Sequence, residues 1–501
     1  MKNQFFTCFL FVGLFLYCSP SYGEEYKPTD AKVVLAKFAE GVQKITLKNG
    51  LRILVYPRKD APVFAGQVWV KVGGVNESLG STGAAHLLEH MAFKGSETIG
   101  TKDYAKEKPL LEQIEAQMKL HQAGSADFKK EKLVSLYKEL SELWLDNEFS
   151  RIYQKRGGVG LNAGTAKDYT MYTIELPKSE LELWCWMESD RLMNPVFRQF
   201  YKEREVVMEE RRMRTDDEPS GMLYEALLAT AYWIHPYHFP TIGWRSDINS
   251  LTTDKTKALH DLYYRPDNIV LSIVGDIDIE QARPLFEKYF SRLKNPSEPL
   301  PQLTVEEGKQ NGEKRVEVLF DAEPMMMMAY HKPVYPDEDD LRFSILHTLL
   351  AGGRSSILYK DFVLKRQLAL SIGSSEAPGE LYPSLFYISA VPRQGVTNEK
   401  LLEEIQKSLD RIAKEGFSDE DFAAAKKRVK LGFLNGLDSN DEVSEMLGHA
   451  ELLWGDWQAM FKMYDIVNNA KKEEVQSLIK KYLTVENRTY AHLERKTNEK
   501  K

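Results

Sequence analysis

The stretch Gly83-Ala84-Ala85-His86-Leu87-Leu88-Glu89-His90-Met91-Ala92-Phe93-Lys94-Gly95 carries two histidines four residues apart with a glutamate between them. No Gly or Pro interrupts Ala84 to Lys94 and Gly95 is a natural stop, so the pattern predicts a helix. On a helix, His86 and His90 lie one above the other, about 5–6 Å apart at Cβ. Two neutral imidazoles so placed can share one tetrahedral Zn²⁺. Glu89 borders the same face, where a carboxylate can take a proton from a water in an open coordination position. Leu87, Leu88 and Met91 supply the opposite, core-facing side. A histidine pair on an amphipathic helix is by itself more often a packing feature. Zinc hydrolysis therefore requires a third protein donor from another element.

The candidate for that donor is Glu203-Arg204-Glu205-Val206-Val207-Met208-Glu209-Glu210-Arg211-Arg212, inside a helix-like segment from Phe200 to about Arg214. Glu203 and Glu210 are seven residues apart and share a helix face. Glu209 is rotated from Glu210 by about 100°. By residue type alone, a solvated charged face is the simpler reading of this segment.

The elements that must position these residues follow from periodicity and turn signals. Gln43 to Leu47, Leu51 to Tyr56 and Gln67 to Val72 read as strands, the first two joined by the hairpin signal Lys48-Asn49-Gly50. The histidine helix is thus reached out of a sheet. From Thr101 to Gly157 the pattern is helical and charged, with a break at Gly124-Ser125 that suggests a helical hairpin. Val159 to Leu176 favours strand, Leu181 to Met193 helix, and Ile269 to Val274 a buried strand. Pro296 to Gly312 is polar and proline-containing, and marks a boundary between halves. The second half repeats the order of the first: strand Val316 to Phe320, apolar run Met325 to Tyr330, helix Leu341 to Leu350, then a glycine pair. No second H-x-x-E-H occurs there. Met325 to Met328 reads as core filling.

A length of 501 residues calls for two domains. The 43% hydrophobic and 28% charged content is that of a globular protein, and the net charge of −7 argues against nucleic acid or anionic membrane as the main partner. Lys2, the apolar run Phe5 to Tyr17 and Ser19-Pro20-Ser21-Tyr22-Gly23 predict a signal peptide over 1–23, with export and no stable membrane insertion after cleavage. The rival is a retained anchor, but about 13 apolar residues are short for a span. Cys8 and Cys18 leave with that peptide, and Cys185 alone makes neither a disulfide nor a thiolate zinc cluster.

H-x-x-E-H is the inverted zincin motif, and Ala85 to Gly95, AHLLEHMAFKG, resembles the zinc helix of the M16 metallopeptidase family, which includes pitrilysin, insulin-degrading enzyme and the mitochondrial processing peptidase. The family carries its third ligand in E-R-x-x-V-x-x-E, matched by Glu203, Arg204, Val207 and Glu210. The resemblance implies Zn²⁺ held by His86, His90 and Glu210, with Glu89 as catalytic base and Glu203 as a supporting carboxylate that full activity requires. The gap from His90 to Glu210 is longer than usual, which assigns about 101–140 to a helical insertion, expected near the mouth of a substrate chamber. Leu161-Asn162-Ala163-Gly164-Thr165 resembles the edge strand that pairs with substrate, with Asn162 and Ala163 as substrate-binding residues. His235-Pro236-Tyr237 and Gly352-Gly353-Arg354-Ser355-Ser356 also resemble the family, with His235 in a loop or packing role.

The implied fold is α/β (α+β): a catalytic domain over 24–295, a linker over 296–312, and a similar domain over 313–501 without a metal site. Each domain would be a mostly antiparallel sheet backed by helices. The implied activity is an exported, periplasmic zinc endopeptidase acting on unfolded peptides or small polypeptides in an enclosed chamber. The alternative is a non-catalytic M16-like subunit that binds or positions peptides. M16 enzymes complete the substrate site with an Arg and a Tyr from a non-catalytic half, and the matching positions here hold Val363 and Leu370. That substitution predicts a heterodimer with an M16-like subunit that carries the pair, a homodimer being the other arrangement.

Overall fold

Asn49 and Gly50 act as their spacing predicts. In a computed structural model that describes residues 28–496, Gly50 has φ +90° and the Leu47 amide donates to the Leu51 carbonyl at 2.9 Å, closing a tight turn. It joins β1 (Gln43–Thr46) to β2 (Arg52–Pro57). The next strand, β3, runs Val63–Val70, earlier than its apolar pattern suggested, because Val63 to Gly66 already pair with the following strands. Val159 to Leu176 is a hairpin of β4 (Val159–Thr165) and β5 (Thr170–Pro177). With β6 (Ile269–Gly275) these make a six-stranded sheet in the order β1-β2-β6-β3-β5-β4, antiparallel except for β2 against β6.

The second half repeats that plan. β7 (Lys314–Phe320), β8 (Met325–Lys332), β9 (Ala369–Ala377), β10 (Ser384–Pro392) and β11 (Arg488–Arg495) form a sheet in the order β7-β11-β8-β10-β9. Its one parallel pair, β7 against β11, corresponds to β2 against β6. Met326 and Met328 are fully buried in β8, as core filling requires. The fold is thus mixed α and β with two similar, mostly antiparallel sheets backed by helices. Residues 296–312 contain no helix or strand. The 1–23 segment lies outside the described residues. Among the described residues no helix is long and apolar enough to cross a membrane, and Cys185 is buried and free.

Residues 296–312 separate the two sheets, but the packing interlocks across that segment. Helix Asn440–Trp454 of the second half lies on the first sheet. There Gln67 Nε2 donates to the Asp441 carboxylate at 2.8 Å and Ser444 donates to the Ser272 carbonyl at 2.9 Å. A Cβ on Gly448 would fall 2.3 Å from the Trp69 indole nitrogen, so glycine is what lets helix and sheet approach. In return, helix Pro219–Ala231 of the first half puts Leu223, Leu227 and Leu228 into one cluster with Met327, Tyr387 and Leu493 of the second sheet.

The charged segment after Thr101 forms the helical hairpin its break suggested, with helices Tyr104–Gln122 and Lys130–Leu143. Its inner face is no free surface. Ile114, Met118, Leu136 and Leu140 are buried in the same cluster as Leu87, Met91 and Val207. The hairpin thus packs on the apolar back of the histidine helix and is part of the core.

Candidate metal centre

The histidine helix spans Ala84–Met91, shorter than the uninterrupted run to Lys94, with Gly95 at φ +89° four residues beyond. It begins at Gly83, whose φ of +87° suits glycine. Glu77 holds this end: its carboxylate accepts the Gly83 amide at 2.8 Å and the Ala85 amide at 2.7 Å. Burial pushes the Glu77 carboxyl up to about 8, against the pull of those two amides and of Lys167. Leu88 turns toward the first sheet, while Leu87 and Met91 turn toward the hairpin. The remaining face presents His86 and His90, with ring centroids 4.8 Å apart and planes at 81°.

Helix Phe200–Arg211 crosses this face with Val207 and Arg204 turned inward. That phase decides between the adjacent glutamates. Glu210 Oε2 lies 3.7 Å from His86 Nε2 and 3.4 Å from His90 Nε2. Glu209 is exposed and paired with Arg212 at 2.6 Å. Donors about 2.1 Å from a tetrahedral zinc are about 3.4 Å from each other, so the observed separations fit a shared ion. His86, His90 and Glu210 are the one set of three or more potential ligands found together among the described residues, with ligand atoms within 4.8 Å of one another. The second atoms of His90 and Glu210 each face a charged neighbour, while His86 Nδ1 is buried without a hydrogen-bond partner. His90 Nδ1 donates to Glu203 Oε1 at 3.1 Å, the carboxylate being acceptor only, which leaves Nε2 as the donor atom. Glu203 Oε2 meets Lys94 Nζ at 2.5 Å, and Glu210 Oε1 meets the Arg214 guanidinium at 2.8 Å.

The charges of these side chains follow from the pairs they form. Burial disfavours the His90 cation, but hydrogen bonds to Glu203 and Glu210 outweigh it and raise His90 to about 10. Burial likewise opposes ionisation of Glu203 and Glu210, yet His90 draws both down to about 2, helped by Lys94 and by His86 and Arg214 respectively. His86 is lowered, by burial first and by the neighbouring His90 charge second.

Glu89 is buried on the same helix, and its Oε2 accepts from the Thr165 hydroxyl at 2.7 Å. Thr165 ends β4, the outermost strand of the first sheet. β4 pairs with β5 on one side, Asn162 opposite Thr173 and Ala163 opposite Tyr172, and with no strand on the other among the described residues. Asn162 and Ala163 therefore lie on the edge strand of the sheet, whose end touches the histidine helix. His235 stands apart from this group; its Nδ1 accepts the Tyr237 amide at 3.2 Å and its ring packs on Tyr232, Tyr237 and Tyr382.

Thr165, Lys94, Arg214 and Glu77 belong to the site but were not singled out from sequence for these contacts. Arg214 stands four residues after Glu210, the helical spacing that brings side chains together, so that signal was present, whereas Lys94 meets Glu203 from another element. Nothing local marks Glu77, which reaches the helix from a loop.

Comparison with known proteins bears on the family and the fold. The description Insulinase (Peptidase family M16) matches residues 54–119 and 136–244, and Peptidase M16 inactive domain matches 250–429. The zinc protease PqqE of Helicobacter pylori is 31% identical over 408 residues, covering 80% of this chain and 81% of that protein. An uncharacterized zinc protease of Mycobacterium leprae is 26% identical over 444 residues, covering 87% and 88%. Among solved structures, a protease from Helicobacter pylori superposes with a TM-score of 0.78 at 28% identity, covering 90% of this chain and 99% of that one. The first half of the periplasmic protease PqqL from Escherichia coli shares the fold, with a TM-score of 0.67 at 16% identity over 91% of this chain and 92% of that one. The two family matches together span most of the sequence, and the chain belongs to peptidase family M16.

Proposed function

We propose that the chain is an exported zinc endopeptidase acting on unfolded peptides or small polypeptides. The observation that carries this reading is the convergence of His86, His90 and Glu210 beside Glu89. When bound, zinc supplies Lewis acidity that brings the pKa of a water toward about 7 and polarises a peptide carbonyl. Glu89 takes the proton of that water and returns it to the leaving amine. Thr165, donating to Glu89, keeps the carboxylate aimed. Glu203 fixes the tautomer and orientation of His90. An extended peptide would align along edge strand β4, at Asn162 and Ala163, beside the base. Export to the periplasm is supported by the signal-like segment 1–23.

The experiment is zinc content together with cleavage of a quenched peptide, for wild type and Glu89→Gln. The variant is expected to keep zinc and lose about 10²–10⁴ in rate. Loss of zinc in that variant would mean that base and ligand are exchanged. A zinc-loaded wild type with no cleavage, alone or with any partner, would favour the peptide-binding subunit instead.

The chamber is proposed to be completed by a separate M16-like subunit. Val363 lies on the wide turn Tyr359–Lys365 and Leu370 at the start of edge strand β9. Neither side chain can hydrogen-bond a substrate backbone. The isolated chain is therefore expected to hydrolyse peptides slowly and to gain activity with a subunit that carries an Arg and a Tyr at these positions. Full activity of a homodimer would refute this arrangement.

A further inference from the structure

Helix Phe200–Arg211 does not stop after Arg211 but widens into a π-helical turn, Arg212–Asp216, closed by the Asp217 amide on the Arg212 carbonyl at 2.8 Å. Such turns are uncommon and frequently found at functional sites. This one is held from several sides. A Cβ on Gly221 would fall 2.0 Å from the Arg214 carbonyl oxygen, so only glycine lets helix Pro219–Ala231 close down on the turn. Arg211 binds Glu225 of that helix through two nitrogens, at 2.8 and 2.9 Å, and reaches Asp216 at 3.3 Å. The result is the placement of Arg214. Its guanidinium lies 2.8 Å from Glu210 Oε1, while Oε2 alone faces the two histidines at 3.4 and 3.7 Å.

A carboxylate with both oxygens available can occupy two positions at a metal, whereas a catalytic zinc site needs one position left for water. We propose that Arg214 is a positioning residue: it reserves Oε1 of Glu210, leaves Oε2 as the single carboxylate donor and so keeps a coordination position open. Lys94 stands in the same relation to Glu203, whose Oε1 serves His90 while Oε2 meets the ammonium. The inference rests on the metallopeptidase reading above and concerns how the metal is held, not whether it is.

The test is cobalt(II) substitution of the full chain, read by visible absorption and by competition with a chelator, for wild type, Arg214→Met, Arg214→Lys and Gly221→Ala. Wild type should take up one cobalt and show the intense bands of a four-coordinate ion. In Arg214→Met the bands should weaken several-fold, as a fifth donor enters, with metal affinity retained; Arg214→Lys should recover most of the intensity. Gly221→Ala should reproduce the loss with every charged side chain in place, and it carries the test if Arg214→Met does not fold. Unchanged bands in Arg214→Met and Gly221→Ala would overturn the inference while leaving the metal site intact. A large fall in affinity with four-coordinate bands would overturn it too, since Arg214 would then only support the helix. A wild type that takes up no cobalt would overturn both this and the metallopeptidase reading.

Discussion

Excising residues 101–140 is expected to unfold the protein, not merely to change which peptides enter. Leu87 and Met91, both 0% exposed, are covered by Ile114, Met118, Leu136 and Leu140 of the hairpin. Uncovering two such side chains costs about 3–6 kcal/mol. The same excision removes Glu107, which is buried and binds Arg198 through both oxygens, at 2.7 and 2.8 Å. Arg198 also ties down the carbonyls of Lys94, Ser96 and Ile99, just beyond the histidine helix. Leaving its guanidinium buried without a counter-charge costs about 3–5 kcal/mol. Together the losses reach about 6–11 kcal/mol, comparable with the whole stability of about 5–15 kcal/mol expected of a domain. The control is to replace the hairpin tip, residues 123–128, with a Gly/Ser sequence of the same length. The tip is mostly exposed and lies in the stretch 120–135 that the family match skips, so this should cost less than about 1 kcal/mol. Urea unfolding and zinc content report both variants, and Glu107→Ala alone should lose about 3–5 kcal/mol. A 101–140 deletion that folds with wild-type stability and zinc would refute the reasoning.

Glu210→Gln should lower zinc affinity, whereas Glu209→Gln should leave both affinity and peptide cleavage unchanged; chelator competition decides, and dependence on Glu209 would mean the helix phase is wrong. Glu203→Gln should weaken zinc binding by about 10–100-fold, the usual worth of a hydrogen bond that orients a ligand histidine. Zinc binding near neutral pH, above the ordinary range of His86, should release the proton of His90. His90, held up at about 10 by Glu203 and Glu210, is the protonated donor, while Glu210 at about 2 is ionised and burial keeps His86 low. Metal displaces the His90 proton, so affinity should rise about tenfold per pH unit as pH increases below about 10. Calorimetry in two buffers of different ionisation enthalpy counts the protons; none, or two, would contradict the assignment.

The histidine pair and Glu89 were legible in sequence because helical periodicity is local: four residues bring two imidazoles onto one face whatever surrounds them. The same holds for the β1–β2 hairpin, where Asn49-Gly50 sets the turn, and for the repeated order of elements, which produced two sheets of matching topology. Family resemblance added Glu203 and Glu210, whose face a helix fixes once its register is known. The length of β3 was misread because a strand buried on both faces shows no alternation, and Val63–Gly66 become strand only by pairing with β5 and β6.

Sequence by itself therefore determined the placement of His86, Glu89 and His90 on one helix, the turn that starts the first sheet and the duplication of the fold, all of which depend on neighbours a few residues apart. Tertiary structure decided the rest. Glu210 and not Glu209 meets the histidines because Val207 and Arg204 set which face of their helix turns inward. The hairpin became core because its apolar stripe found Leu87 and Met91. Glu77 became the cap of the histidine helix, and Thr165 the partner of Glu89, across loops and strands that no periodicity connects. Helix Asn440–Trp454 covers the first sheet, hundreds of residues away in the chain, because Gly448 and Gln67 fit that helix to Trp69. Such contacts arise from the matching of two preformed surfaces, and a sequence read from one end to the other contains each surface but not the fact that they meet.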